Sequence, residues 1–387
     1  LPRGWPGGIA PTDPSPGHIQ QYLARAHQAG ASDLYINSAS VPALMLHGEL
    51  RPFEGCPALT PEQAAVLVRQ TMTREQWDYF DRHGDLCFCY AFAGGRYRAS
   101  AFRHRSGCGA AFRVIRERIP ALDQLGLPAG CARLAQFTEG LVLIAAPAGA
   151  GKTTTMMALA DTINHARHAH ILTIEEPIEY ALPPAEARIS QREVGSHTAS
   201  VAAAIQGALR EDVDVIVIGE LRDELAIAAA LAAAEAGHLI FATVQAPDCA
   251  RAIDRIMECT TDPTQRRNAV ADNLRAIIGQ QLVRRKDGHG RVAACEMLFN
   301  SISVGNIIRE GKTHNLVNVM QTGRQQGMIM LDDSLRALVE EGAIGGEEAY
   351  ARAKNKVPFK QYLPEPPKPA PEAPKPPEPA KPPPARR

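Results

Sequence analysis

A chain of 387 residues is long enough for two hydrophobic cores, and 42 basic against 42 acidic side chains give it no global attraction to a polyanion or an anionic surface. That balance, with no aromatic-basic stretch, argues against a nucleic-acid motor. No run of eighteen apolar residues occurs and the opening residues lack the apolar core of a secretory signal, so no transmembrane segment is expected, and a cytoplasmic location is.

Residues 1–17 hold five prolines and four glycines and read as a flexible arm. From His18 the spacing Ile19, Tyr22, Leu23, Ala26 predicts a helix stopped near Gly30, followed by short strands at Asp33–Asn37 and Ala43–His47 and a turn at His47-Gly48-Glu49. Thr60-Pro61-Glu62-Gln63 carries the residues of a capping box and opens a helix to about Gln70, and a second helix covers Thr73 to Arg82. Leu86–Ala93, Arg96–His104 and Ala110–Ile115 alternate and are separated by glycine-rich turns, as in an antiparallel meander. Residues 18–119 therefore form a small α+β domain. Its meander is rich in arginine, including Arg96, Arg98, Arg103, Arg105, Arg113 and Arg116. These form either a solvated face or a set that reaches an anion on a neighbouring domain or subunit. Alternation puts Arg96 and Arg98 on one face.

From residue 120 strands and helices alternate, the pattern of an α/β fold with a parallel sheet. Leu141-Val-Leu-Ile-Ala-Ala-Pro-Ala-Gly-Ala-Gly-Lys-Thr-Thr-Thr155 is an apolar strand, a small-residue loop and a helix start. Such a loop, here Ala146, Pro147, Ala148, Gly149, Ala150, Gly151, Lys152, Thr153 and Thr154, wraps backbone N–H groups around phosphates. It sets a lysine ammonium against the terminal phosphates and a hydroxyl on Mg²⁺. The pattern G-x-x-x-x-G-K-[ST] is complete except that Ala146 stands at its first glycine. His170–Ile174 is the next strand and delivers Glu175 and Glu176 at its C-terminal end, where such sheets bind ligands. After a Pro183-Pro184 loop and a helix from Thr198 to Arg210, the strand Asp212–Ile218 ends in Gly219-Glu220, the acid that holds a Mg²⁺ shell or an attacking water. An alanine-rich helix ends at Gly237-His238, and Leu239–Val244 is another buried strand; His238 either senses nucleotide or caps the helix before it. Residues 249–285 are expected to be helical, 288–299 a hairpin, and 303–310, 313–321 and 328–341 helices. Residues 120–362 thus form a second domain, and the Pro, Lys, Glu and Ala of 363–387 an extended tail. Eight cysteines without a C-x-x-C pair read as reduced thiols.

Taken in order, these boxes resemble the PilT-type ATPases of type IV pilus systems, within the type II/IV secretion ATPase superfamily. Ala146–Thr153 is similar to the Walker A loop, Ile174-Glu-Glu-Pro-Ile-Glu179 to the acidic box, Ile218-Gly-Glu-Leu-Arg-Asp223 to Walker B and Gly237-His-Leu-Ile-Phe241 to the histidine box. The likeness extends from about residue 18 to 345. It departs at Ala146, at Glu176 where the family has aspartate, at Gln245 where it has a second histidine, and at Gly305 where it has arginine. The resemblance implies a RecA-like P-loop ATPase domain preceded by a PAS-like domain. It also implies ATP/ADP and Mg²⁺ as ligands, with Lys152 on the phosphates and Thr153 and Glu220 on the metal. Glu175 would polarise the attacking water and His238 read the γ-phosphate state, while Arg96, Arg98, Arg103, Arg105 and Arg210 are arginine-finger candidates. By the same likeness the chain would be a homo-hexamer at the inner membrane, working on a pilus platform protein, with a paralogous motor ATPase as a further partner, and powering retraction. The alternatives are a weakly hydrolysing accessory subunit, or an extension or secretion ATPase, whose usual four-cysteine insertion is missing here.

Overall fold

The computed structural model describes residues 17–46, 49–93, 95–115, 118–258, 260, 262–288 and 290–363. The arm before Gly17, the tail after Leu363, the His47-Gly48 and Gly94 turn positions and Arg116 lie outside the described residues. The first elements among the described residues are α1 (Ile19–Gln28), β1 (Asp33–Asn37), β2 (Ala43–Leu46), β3 (Glu49–Pro52), α2 (Pro61–Arg69), α3 (Arg74–His83), β4 (Asp85–Phe92), β5 (Gly95–His104) and β6 (Gly107–Ile115). The strands make one antiparallel sheet in the order β3-β2-β1-β6-β5-β4. Both middle helices start on reciprocal capping boxes, Thr60 with Gln63 and Thr73 with Gln76. Each box satisfies two N–H groups that a helix start leaves orphaned. Ile19, Leu23, Leu34, Leu67, Phe80 and Phe112 fill the core against this sheet.

Two short 3₁₀ segments, Leu122–Leu125 and Ala129–Gln136, lead to the second sheet. Its elements are β7 (Gly140–Ala145), α4 (Lys152–Ala166), β8 (His170–Glu175), β9 (Arg188–Glu193), α5 (Val201–Ala208), β10 (Val215–Ile218), α6 (Glu224–Glu235), β11 (Leu239–Val244), α7 (Cys249–Glu258), α8 (Pro263–Asn273), β12 (Leu274–Arg284) and β13 (Arg291–Phe299). The order is β13-β12-β7-β11-β10-β8-β9, parallel except for β13. Every residue of β7, β10 and β11 is buried, as strands covered on both faces require. Helices α9 (Ile302–Glu310), α10 (Leu316–Thr322), α11 (Leu331–Glu340) and α12 (Gly346–Arg352) follow, and a small cluster around Val283, Leu335 and Phe359 seats α12 on the hairpin of β12 and β13.

One expectation is corrected here, and two elements have no counterpart in the sequence pattern. Residues 274–284 are a strand rather than part of a helical stretch, hydrogen-bonded to β7 on one side and β13 on the other. The run Leu274–Val283 is apolar apart from Arg275, Gln280 and Gln281, and a mostly apolar run has no clear period that separates strand from buried helix. The edge strand β9 and the helix α12 carry mixed sequences that gave no element signal. Among the described residues no helix is long and apolar enough to cross a membrane.

Candidate nucleotide site

The site is built at the C-terminal ends of the parallel strands, where β7 leaves the sheet between β11 and β12. Ala146 is buried and donates its N–H to Val244 O at 3.2 Å, continuing the ladder by one residue. The described non-glycine residues with positive φ are Ala39, Ala93 and Asp212, so the loop corner asks nothing of Ala146 that only glycine can supply. The turn is made later, by Gly149 at φ 71° and Gly151 at φ 85°. Gly151 is also the residue before α4, whose fifteen residues present their N-terminal N–H groups and positive dipole end to the loop.

Lys152 folds its ammonium back over the loop, donating to Ala146 O at 2.9 Å and Pro147 O at 3.0 Å. Burial lowers its pKa, and the carboxylates of Glu220 and Glu179 oppose that shift, which places both acids in the ammonium's electrostatic neighbourhood. Thr153 follows in the first helical turn. Thr154 hydrogen-bonds the Tyr180 hydroxyl at 3.0 Å.

Glu175 ends β8 and is 2 % exposed. Thr173 donates to its Oε1 at 2.7 Å, Gln191 to the same oxygen at 3.1 Å, and the Glu179 N–H to Oε2 at 3.2 Å. Burial nevertheless raises its pKa, and those three hydrogen bonds only offset part of the rise. Glu220 stands on the adjoining strand end, because the Gly219 N–H donates to Ile174 O at 2.8 Å. Arg222 bridges Glu220 at 2.9 Å and Glu176 at 3.4 Å. Glu176 and Arg222 are well exposed, so that link contributes at most about 1 kcal/mol.

Two of the meander arginines reach this acidic turn. Arg96 donates to Ile178 O at 2.9 Å, and Arg98 lies 3.6 Å from the Glu179 carboxylate. The other candidates are not brought together with them. Arg103 pairs with Asp81, and Arg105 is exposed at the turn between β5 and β6, the opposite end of β5 from Arg96. Arg210 follows α5 beside Glu211, whose carbonyl contacts His170 at the first residue of β8, so it lies at the strand-start edge. His238 precedes β11, and Leu239 pairs with Gly140, the first residue of β7. Six residues of strand at about 3.3 Å each put His238 roughly 20 Å from the loop. Its Nδ1 lies 2.6 Å from Val213 O and its N–H donates to Ala233 O, the helix-capping option. The residue of this box at the loop is Gln245, exposed just after Val244, which pairs with Ala145.

Gln280, absent from the sequence reading, ties the loop to the sheet. It is 3 % exposed, accepts from Thr155 Oγ1 at 2.8 Å and donates from Nε2 to Ala150 O at 2.6 Å. A Cβ at Gly151 would stand 2.8 Å from that Nε2, so glycine here serves close approach as well as turn geometry. Gln280→Leu leaves a buried carbonyl and hydroxyl unpaired and is expected to cost about 1–3 kcal/mol. Urea denaturation measures that loss, and ADP titration should weaken with it. Arg291, at the start of β13, reaches Gly149 O at 3.4 Å and also went unread.

The type II/IV secretion system protein family matches residues 107–357, well over half the chain. The chain belongs to this family. Within it, the chain is 38% identical to a twitching motility protein of Neisseria gonorrhoeae over 317 residues, covering 81% of this chain and 84% of that one. It is 36% identical over 339 residues to the type IV pilus retractation ATPase PilT of Pseudomonas aeruginosa, covering 87% of this chain and 98% of the relative. A crystal structure of the pilus retraction motor PilT with bound ADP superposes with a TM-score of 0.79 at 34% identity, covering 89% of this chain and 99% of that chain. The family fold therefore extends over both sheets.

Proposed function

We propose that this chain is an ATP-hydrolysing motor of the PilT type that drives retraction of type IV pili. The observation that carries the reading is the convergence, at one sheet edge, of the Gly149–Thr154 loop, the Lys152 ammonium and the acids Glu175 and Glu220. Relatives of nearly full mutual coverage named for pilus retraction and twitching motility support the same reading.

ATP binds with its phosphates on the loop N–H groups and the N-terminus of α4, and Lys152 exchanges the Ala146 and Pro147 carbonyls for β- and γ-phosphate oxygens. The donor set suits Mg²⁺: a hydroxyl at Thr153 and a carboxylate at Glu220, with no group of three or more His, Cys, Asp or Glu among the described residues that would make a dedicated metal cage. When bound, the ion neutralises charge on the phosphates. Glu175, ionised, takes up the proton of the attacking water, held by Thr173, Gln191 and the Glu179 N–H so that one carboxylate geometry is fixed. Gln245 rather than His238 faces the terminal phosphate. Arg96 and Arg98 neutralise charge from the 18–119 unit, tying its position to the state of the acidic turn. Arg103, Arg105 and Arg210 serve across a subunit boundary in a homo-hexamer. In that ring the 18–119 and 120–362 units move against each other, at the inner membrane and against a pilus platform protein. Mg-dependent, multiple-turnover ATP hydrolysis by a purified particle of six subunits in native mass spectrometry tests the reading; a monomer without turnover overturns it.

The amide at Gln245 favours one second reading, an accessory retraction subunit that binds ATP and hydrolyses it slowly. It acts beside a paralogous motor, and a turnover rate far below the family's usual range with intact ATP affinity would select it.

A further inference from the structure

Beside the nucleotide site lies a charge cluster, built on the buried carboxylate of Glu296, that the chemistry above does not use. One row of the sheet runs Glu296 on β13, Gly279 on β12, Ala145 on β7 and Val244 on β11. Ala145 is the last strand residue before the phosphate loop and Val244 the last before Gln245, so Glu296 is level with both. A Cβ at Gly279 would fall 2.6 Å from Glu296 Cγ, and the glycine makes room for the Glu296 side chain to lie there. Glu296 is 3 % exposed, and its Oε1 accepts the backbone N–H of Cys249 at 2.5 Å. Asp248, one residue earlier, accepts the Arg251 N–H at 2.9 Å and so starts α7. The two carboxylates thus hold the far end of the turn that carries Gln245.

One ammonium group joins them among the described residues. Lys354 Nζ lies 2.9 Å from Glu296 Oε2 and 3.2 Å from Asp248 Oδ2. Lys354 comes from the segment after α12, whose backbone is pinned in turn: the N–H groups of Lys354 and Asn355 donate to the two oxygens of Asp332 at 2.8 Å each. A buried carboxylate that loses its counter-ion is strongly unfavourable, so removing the ammonium would force the Glu296 side chain to move, and the Cys249 N–H with it. The end of the helical segment and the Gln245 turn are therefore not independent.

We propose that Lys354 is a positioning residue for ATP turnover: by clasping Asp248 and Glu296 it fixes the Gln245–Asp248 turn against the phosphate loop and couples that turn to the C-terminal helices. The proposal rests on the reading that Gln245 faces the terminal phosphate. Because ADP lacks that phosphate, the two ligands separate positioning from general damage. In the full chain, Lys354→Met is expected to lower kcat for ATP about 10- to 100-fold, the cost of a displacement of about 1 Å in a reacting geometry. Affinity for fluorescent ADP should stay within about twofold, and Lys354→Arg, which keeps the charge, should recover most of the rate. Asp248→Asn is the second variant, expected to give a smaller loss with the same split. A Lys354→Met protein with wild-type kcat, or one that loses ADP affinity in step with kcat, overturns the proposal. Failure of the wild-type chain to bind ADP would instead sink the nucleotide-site reading itself.

Discussion

Lys152→Ala is expected to reduce ATP turnover at least about 100-fold, the scale on which preorganised electrostatic groups act on a transition state. The ammonium is the one cation that α4 itself places over the loop, and in this structure it already sits on the carbonyls of Ala146 and Pro147, held near Glu220 and Glu179. Its removal leaves the loop N–H groups and the helix dipole in place, so nucleotide affinity should fall less than turnover. A phosphate-release assay alongside ADP titration measures both, and wild-type turnover in the variant would remove Lys152 from the site.

Glu175→Gln is expected to keep ATP binding and lower turnover about 10²- to 10⁴-fold, the usual contribution of a general base. The same carboxyl sets a pH dependence. Its folded pKa is raised, chiefly by burial, above the ordinary value of 4.5. It therefore takes up a proton at a higher pH than an exposed glutamate would, and the acidic limb of the wild-type pH–rate profile should lie above pH 4.5. The stability linkage has the matching sign: the contribution of the neutral acid is present below the ordinary carboxylate range and is lost as pH rises through the raised value. A profile whose acidic limb survives in Glu175→Gln would assign the limb to another group.

The parts of the site carried by short-range pattern were legible from the residues. An apolar strand, two glycines and Lys152-Thr153 in sequence specify the loop before any partner is known, and an acid at the end of an apolar strand announces Glu175 and Glu220. What could not be read depended on pairing. Gln280 is a polar residue in a mostly apolar run, a signal the sequence carries, but periodicity does not tell a buried strand from a buried helix. Without the pairing of β12, nothing in the sequence connects Gln280 to Ala150 O or Thr155. His238 shows the converse: its box is plain in the sequence, yet only the register of β11 on β7 tells that the strand carries His238 to one edge and Gln245 to the other. The arginines divide in the same way, since alternation gave Arg96 and Arg98 one face, and only the packing of β4 and β5 on the acidic turn distinguishes them from Arg103 and Arg105.

The most direct test of the whole account is time-lapse imaging of fluorescently labelled pili in a host strain deleted for this chain and complemented with the wild type or with Lys152→Ala. The account predicts that pili still extend in the deletion strain but do not retract, that the wild type restores retraction, and that Lys152→Ala does not. Retraction at the wild-type rate in the deletion strain, or its restoration by Lys152→Ala, would contradict it.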